Sequence, residues 1–488
     1  MTTQVNLTLT RQLRRELWEH LFPGDQDEHG AVILAGYVRG PGGFRLLGKH
    51  LLLAQDGVDY VPGRYGYRAL TASFVQRAVI QARDAGLIYL AVHCHGGDDD
   101  VAFSSTDLAS HERGYPALMD ITGIPVGGLV AARHALAGEL WLPGGARQDL
   151  NSTLVPNNRF TALLPHPGTK PSPADETLNR QALLFGDRGQ TLIGATSVTI
   201  IGLGGLGSII AELLARLGVQ HFVLIDPDRV DLTNLNRMVA ARRLDALGWL
   251  RDSRRPAPLR AFAERRAQTK VSMAARNIRR ANPRATVVEL PRNLSDPLAL
   301  AAAANSQYLF LAADTNLARH LTNALVQQYL IPGVQAGVKI RTDDDGVVHD
   351  LHVAIRPLIP GDACLWCQEV IDPAKLAIEM LTRAEQHAAQ YVAEVTAPAV
   401  MSLNGIAASE AVTAFMLGVT GLAPAGPSPV LLRLPLTARL LRQIVSGKPS
   451  CRWCGTGPDS RLARGSLDLL PTQQVDPSTL EAPLPASS

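Results

Sequence analysis

The sequence predicts a mixed α/β protein of at least two domains, and three stretches carry that prediction. The first is an apolar run, Val198–Leu203, read as a buried strand. It passes through Gly202, Gly204, Gly205 and Gly207 into an apolar helix over Ser208–Leu217, then a second strand, His221–Ile225, that ends on Asp226. The second is the alternation that follows. Strands at Thr286–Leu290 and Tyr308–Ala312 are separated by helical stretches up to about Val338, which argues a mostly parallel, doubly wound sheet. The third lies far upstream, where a short buried strand, Leu87–Val92, delivers His93-Cys94-His95 at its C-terminal end.

Composition sets the frame. A chain of 488 residues is too long for one ordinary domain. Its 46% hydrophobic and 19% charged content is globular, and a net charge of +3 implies neither a nucleic-acid nor a membrane partner. The first twenty residues lack the apolar core of a signal peptide, and no apolar run reaches membrane-spanning length; a soluble, cytoplasmic protein is expected. Four of the five cysteines form two C-x-x-C pairs, Cys364/Cys367 and Cys451/Cys454, a spacing that predicts a closed structural zinc site.

Taken in order, Thr10–Leu21 reads as an amphipathic helix, Gly24–Gly30 as a polar turn, Ala31–Val38 and Phe44–Leu53 as strands, and Thr71–Ala85 as a helix. Histidines at i and i+2 on an extended segment, here His93 and His95, point the same way. Asp107 lies twelve residues past His95, at the start of a helix. Two imidazoles and one carboxylate, with a fourth position left for water, make an open catalytic zinc site. Such a site needs a base, and Glu28, just before the first predicted strand, is the candidate. Glu28, His93-x-His95 and Ser104-x-x-Asp107 together resemble the JAMM (MPN) metallo-isopeptidases, which cut ubiquitin-like chains. The resemblance covers roughly Thr10–Leu142 and implies that Ser104 helps hold the tetrahedral oxyanion. Gly96 stands where that family has proline, and the gap from His95 to Ser104 is one residue longer than usual.

The Pro/Gly/Ser-rich run centred on PHPGTKPSPADE reads as a linker. The expected boundaries are 1–142 for the peptidase-like domain, 143–178 for the linker, 179–469 for the second domain and 470–488 for a disordered tail.

In the second domain, glycines after a strand let a phosphate approach the backbone, the helix behind them favours its charge, and an acid ending the next strand suits a ribose hydroxyl. That much also fits NAD enzymes. The polar stretch Asp226-Pro-Asp-Arg-Val-Asp-Leu-Thr-Asn-Leu-Asn-Arg237 separates the two. It resembles the D-x-D-x-V-x-x-x-N-L-x-R segment of the ThiF/MoeB-like adenylyltransferases, the type that activates ubiquitin. The resemblance implies a Rossmann-like adenylation domain that uses ATP and Mg2+. Carried over, it implies that Gly202, Gly204, Gly205 and Gly207 admit the ATP phosphates and that Asp226 holds the ribose. Asn234, Arg237 and Lys270 would neutralise and orient the phosphates. Asp314 would bind magnesium, with Asn316 beside it. Arg180, on an N-terminal arm, would reach ATP bound by the other subunit of a homodimer. Met238 stands where a Gln commonly follows the arginine. About twenty residues, Arg243–Glu264, are inserted before Lys270 and read as a surface helix–loop or as a basic docking site for an acidic partner.

With four cysteines on zinc and Cys94 between two histidines, no internal thioester is expected. The acyl-adenylate would pass to a thiol or amine of a partner such as a conjugating enzyme, or to sulfide; a hydroxyl such as Thr396 would need an activating base. The resemblances together imply a two-headed enzyme holding one catalytic and one structural Zn2+. A zinc peptidase head trims or releases a ubiquitin-like protein, and a second head adenylates that protein's C-terminal carboxylate. Two alternatives stay open: a sulfur-carrier protein as substrate in cofactor synthesis, and a first head that binds without cleaving.

Overall fold

The computed structural model describes residues 4–40, 43–61, 68–166, 173, 175–343, 345–381 and 398–471. The chain divides into two compact units: Met1–Lys170 with Gln327–Leu330 and Arg452–Ser488, and Pro171–Val326 with Ile331–Cys451.

In the first unit the elements are β1 (Gln4–Thr8), α1 (Arg11–Leu21), β2 (Gly30–Gly40), β3 (Gly43–Leu53), α2 (Ala72–Ala85), β4 (Ile88–Cys94), α3 (Ser105–Thr122), β5 (Val126–Ala131), β6 (Leu136–Trp141), β7 (Arg147–Val155) and β8 (Thr161–Leu163). The helices start where a hydroxyl can satisfy their first free amides: Thr10 accepts from Leu13 and Thr71 from Phe74. Helix α1 then buries Leu13, Leu17, Trp18 and Leu21. The strands form one sheet in the order β1-β3-β2-β4-β5-β6-β7-β8. Strand β1 pairs in parallel with both β3 and β7, so the sheet closes on itself.

Two expected boundaries move. The stretch read as a linker from residue 143 contains β7 and β8, with Leu150, Thr153, Val155 and Leu163 buried, so the break falls near residue 170. Residues 452–471 group with the first unit rather than with the second. There Gly465 bridges to Tyr37, and the Lys49 amine donates to the carbonyls of Ser460 (2.8 Å) and Leu462 (3.0 Å). Burial pulls that amine down to about 8. Leu470, placed at the start of a disordered tail by composition, is buried; the tail's remainder lies outside the described residues from 472 on, as does Thr396.

The second unit runs α4 (Asn179–Ala195), β9 (Ser197–Ile201), α5 (Gly205–Leu217), β10 (His221–Ile225), α6 (Ala257–Arg266), α7 (Lys270–Ala281), β11 (Thr286–Leu290), α8 (Pro297–Ala304), β12 (Tyr308–Leu311), α9 (Asn316–Gln328), β13 (Gly333–Thr342), β14 (Val348–Leu358), α10 (Pro373–Glu379), α11 (Met401–Val419), β15 (Val430–Leu434) and β16 (Arg439–Gln443). Its sheet is ordered β11-β10-β9-β12-β13-β14-β15-β16, with β11 through β13 parallel. The order steps from β9 one way through β10 and the other way through β12. A crevice therefore opens beyond the C-terminal ends of β9 and β12, where such sheets bind ligands. Helix α11 is long and apolar enough, by length and composition, to cross a membrane, which corrects the expectation that no apolar run is. Here it packs on α5 and β13 and buries Ala407, Ala408, Ala411 and Phe415 completely.

The insertion is anchored on its inner side, which a plain surface loop would not be. Asp245 accepts from both terminal nitrogens of the Arg276 guanidinium at 2.8 Å. Arg251 pairs with Asp231. Ala246 joins Val230, Met238 and Met273 in a small apolar cluster, and this is what a methionine at 238 does. Burial works against the Asp245 charge, but hydrogen bonds from Arg276 and the Arg242 amide outweigh it and hold the carboxyl below its ordinary value. A depressed carboxyl stabilises the fold above the unfolded value near 4 and stops doing so as pH falls through the lower folded value. Asp245→Asn is therefore expected to cost about 3 kcal/mol at pH 7. In denaturant melts the gap from the parent protein should narrow as pH falls below the unfolded value near 4; equal midpoints at pH 7 would overturn the assignment.

Candidate functional site

In the first unit, β4 sets His93 and His95 side by side, their Nε2 atoms 3.2 Å apart. Asp107, on the first turn of α3, brings Oδ1 to 3.4 Å from His93 Nε2 and Oδ2 to 3.4 Å from His95 Nε2. Four-coordinate zinc with bonds of about 2.0–2.1 Å has ligand–ligand edges of about 3.4 Å, so this donor set fits zinc with one corner left over. Burial opposes the Asp107 charge, yet the His93 and Ser104 hydrogen bonds hold its carboxyl well below the usual carboxylate range. Glu28 is half-buried nearby. Burial raises its carboxyl, with His93 and His95 pulling the other way.

Ser104 departs from expectation. It caps α3, and both its amide and its hydroxyl donate to Asp107 Oδ2 at 2.8 Å. The hydroxyl the resemblance assigns to an oxyanion is here engaged with the Asp107 carboxylate. Sequence reasoning also misses a buried layer behind the site. His111, one helical turn past Asp107, has Nδ1 2.7 Å from Glu139 Oε1, which also accepts from Trp141 at 2.8 Å. Its ring stacks on Tyr115 at 4.4 Å, in a space that exists because Gly128 has no Cβ. The available signal was the i, i+4 spacing of Asp107 and His111 on one helix face. Cys94 is buried, and its thiol, raised by burial, accepts from the His29 amide.

In the second unit, β9 runs into a turn and helix start that need glycine at positions 202 and 207. Gly202 has φ +90°, and a Cβ there would lie 2.7 Å from the Ala313 amide. A Cβ on Gly207 would fall 1.9 Å from the Gly202 carbonyl oxygen. Gly204 caps α5 and faces open space. Asp226, at the end of β10, is buried beneath this turn; Oδ2 accepts from the Leu203 amide at 2.6 Å and Oδ1 from Asp228 at 2.9 Å. Burial raises its carboxyl. Lys270 opens α7 and donates to Asp228 at 2.7 Å, with Asp226 3.8 Å away. Arg237 lies against Gly205 and donates to the Thr233 carbonyl at 2.5 Å. Asn234 is buried and accepts the Asp231 amide. Asp314 is exposed beyond the end of β12, one residue past Ala313, whose amide lies against Gly202 of the glycine turn.

Asn316 is engaged elsewhere. Its carbonyl accepts the Asp372 amide at 2.9 Å and its amide donates to Glu379 at 3.1 Å, tying the start of α9 to α10. Arg180 is exposed on the first turn of α4. Asn404 of α11, not foreseen, places its amide nitrogen 2.5 Å from where a Gly205 Cβ would stand. The four C-x-x-C sulfurs lie within 4.8 Å of one another, and Cys364 and Cys451 are 3.7 Å apart. Zinc–sulfur bonds of about 2.3 Å give edges of about 3.8 Å, whereas a disulfide needs about 2.05 Å, so the set fits zinc.

The chain is 43% identical over 63 residues to a tRNA threonylcarbamoyladenosine dehydratase of Bacillus subtilis, covering 13% of this chain and 25% of that one. It is 32% identical over 155 residues to the adenylyltransferase and sulfurtransferase MOCS3 of Mus musculus, covering 30% and 29%. It is 28% identical over 130 residues to ubiquitin-like modifier-activating enzyme 5 of Oryza sativa, covering 27% and 26%. The chain thus spans about a quarter of the length of these relatives. Among solved structures, E. coli MccB with ATP aligns at 18% identity and a TM-score of 0.42, over 57% of this chain and 75% of that one. A profile of the ThiF family matches residues 178–432, just over half of the sequence, and the chain belongs to the ThiF family.

Proposed function

We propose that the second unit adenylates the C-terminal carboxylate of a ubiquitin-like or sulfur-carrier protein, and that the first unit is a zinc peptidase for the same protein. The observation that carries the first half is one crevice lined by a glycine turn, a buried ribose-type acid beneath it and two cations, Arg237 and Lys270. Relatives named as a sulfurtransferase and as ubiquitin-like modifier-activating enzymes support the substrate class. In the reaction, a carboxylate oxygen attacks the α-phosphorus of ATP and the bond to the bridging oxygen of pyrophosphate breaks. Catalysis is then positioning plus neutralisation of phosphate charge. Arg237 and Lys270 exchange the Thr233 carbonyl and Asp228 for phosphate oxygens. Magnesium, held by Asp314, would add charge for the leaving pyrophosphate. A homodimer would let Arg180 reach the other subunit's ATP.

For the first unit, the fit of His93, His95 and Asp107 to a three-ligand zinc site supports the reading. Zinc bound there supplies a Lewis acid and a water ionising near neutral pH. Glu28 takes the proton of the attacking water and returns it to the departing amine. Ser104 holds Asp107 in place.

The test is ATP–pyrophosphate exchange with ubiquitin-like and sulfur-carrier proteins that end in an exposed glycine, on parent protein and Asp314→Ala. Exchange that needs both the protein substrate and Asp314 is expected. A second reading, a modified tRNA as substrate, is favoured by the 43% identity over 63 residues to the Bacillus subtilis dehydratase. Exchange driven by tRNA alone would select it, and exchange with neither would refute adenylation.

A further inference from the structure

The insertion between Arg237 and Lys270 has its burial the wrong way round for a helix serving only the fold. In α6 the one buried side chain is Ala263, while Leu259 (41% exposed) and Phe262 (51%), one turn apart, face outward. The loop before α6 repeats this: Ala246 and Leu250 are buried, while Leu244 (68%) and Trp249 (60%) are exposed. Large apolar side chains held in water by an anchored segment mark an interaction site. Charge says what kind. Between Arg242 and Arg266 there are eight arginines against three acids, and Asp245 and Arg251 are already paired inward. Arg254, Arg255, Arg260 and Arg265 are all exposed. A surface mixing guanidinium groups with leucine, phenylalanine and tryptophan complements a protein segment carrying both carboxylates and apolar side chains. Nucleic acid could use the arginines and the two aromatic rings but finds nothing to do with the leucines.

Location narrows the partner. Arg251 grips Asp231, and Leu232 packs against Gly248, so the insertion is tied to the turn that carries Asn234. The chain's cysteines are a four-sulfur cluster and a buried Cys94 between two candidate metal ligands, so a thiol that accepts an activated acyl group comes from another molecule. We propose that the insertion is the docking surface for that acceptor protein, engaged through an acidic segment with apolar anchors; this rests on the adenylation reading.

The experiment is fluorescence anisotropy with the full chain and three labelled probes: an acidic peptide of Glu and Asp with Leu and Phe one helical turn apart, polyglutamate of equal length, and a tRNA. The peptide should bind at least tenfold tighter than polyglutamate or tRNA. It should weaken tenfold or more in Arg254→Glu/Arg255→Glu/Arg260→Glu, and again in Phe262→Ala, a milder change that leaves the arginines in place. ATP–pyrophosphate exchange in both variants should stay within twofold of the parent. Equal or tighter binding of polyglutamate or tRNA, unchanged binding by the variants, or no peptide binding would overturn the proposal. Loss of exchange in the variants would also overturn it, by assigning the insertion to the nucleotide site. Peptide binding in a parent protein with no exchange activity would count against the adenylation reading alone.

Discussion

Asp226→Ala is expected to lower substrate-dependent ATP–pyrophosphate exchange at least about a hundredfold. The carboxylate lies under the glycine turn and is 5% exposed. It receives the Leu203 and Asp228 amides at 2.6 and 2.9 Å and steadies Lys270 from 3.8 Å. Removing it orphans two backbone donors, at about 1–3 kcal/mol each, before any contact with the nucleotide is counted. Tenfold in rate is about 1.4 kcal/mol, so these two amides alone account for a hundredfold if the turn must be held still for the α-phosphorus to be reached. Asp226→Asn should recover part of the loss, since one amide oxygen can still accept from Leu203. Asp228→Ala, which removes a largely exposed partner of Lys270, should change exchange by less than about threefold. Exchange within threefold of the parent in Asp226→Ala would refute the role.

Glu28→Gln should abolish cleavage of a C-terminally extended ubiquitin-like protein, by about a thousandfold, while leaving zinc content intact. The logic is a separation of functions. His93, His95 and Asp107 form the donor triangle, with edges of 3.2–3.4 Å, and Glu28 stands outside it. His93→Ala should lose cleavage and one zinc ion together, as read by gel assay and elemental analysis. Asp107→Asn should bind zinc more weakly because it gives up the charge that opposes the metal's. If Glu28→Gln cleaves within tenfold of the parent, another group carries the proton. If the parent holds no zinc beyond one ion in the cysteine cluster, the first unit binds without cleaving.

The adenylation core is legible in the sequence because its signals are local. Strands β10 and β11 end where their apolar runs end, Gly202 falls where the turn needs φ above zero, and Asp226 closes β10. What the sequence hides is set by partners far along the chain. Strand β1 is a five-residue alternation, Gln4–Thr8, whose meaning depends on β3 and on β7 more than 140 residues away. The run PHPGTKPSPADE drew a linker across its neighbours, but Leu150 and Val155 face a core that composition cannot reveal. The anchoring of the insertion needs Arg276, thirty-one residues past Asp245. Within the candidate sites, the hydrogen-bond partners of single residues are not legible in the sequence. Ser104 and Asn316 are turned by helix starts, Ser104 by α3 and Asn316 by α9, toward nearer polar groups.

The closed sheet has a cost in time. Strand β1 has no second neighbour until residue 155 is made, and the strip that bonds Tyr37 and Lys49 arrives only with residues 460–466. At about 5–20 residues per second, the roughly three hundred residues between Leu163 and Ser460 take about 15–60 s to synthesise. Through that interval the nascent N-terminal unit waits with one flank uncovered, a window in which chaperones and misfolding compete for it. Refolding of the whole chain, where the strip is present from the start, should be the faster route to the same sheet.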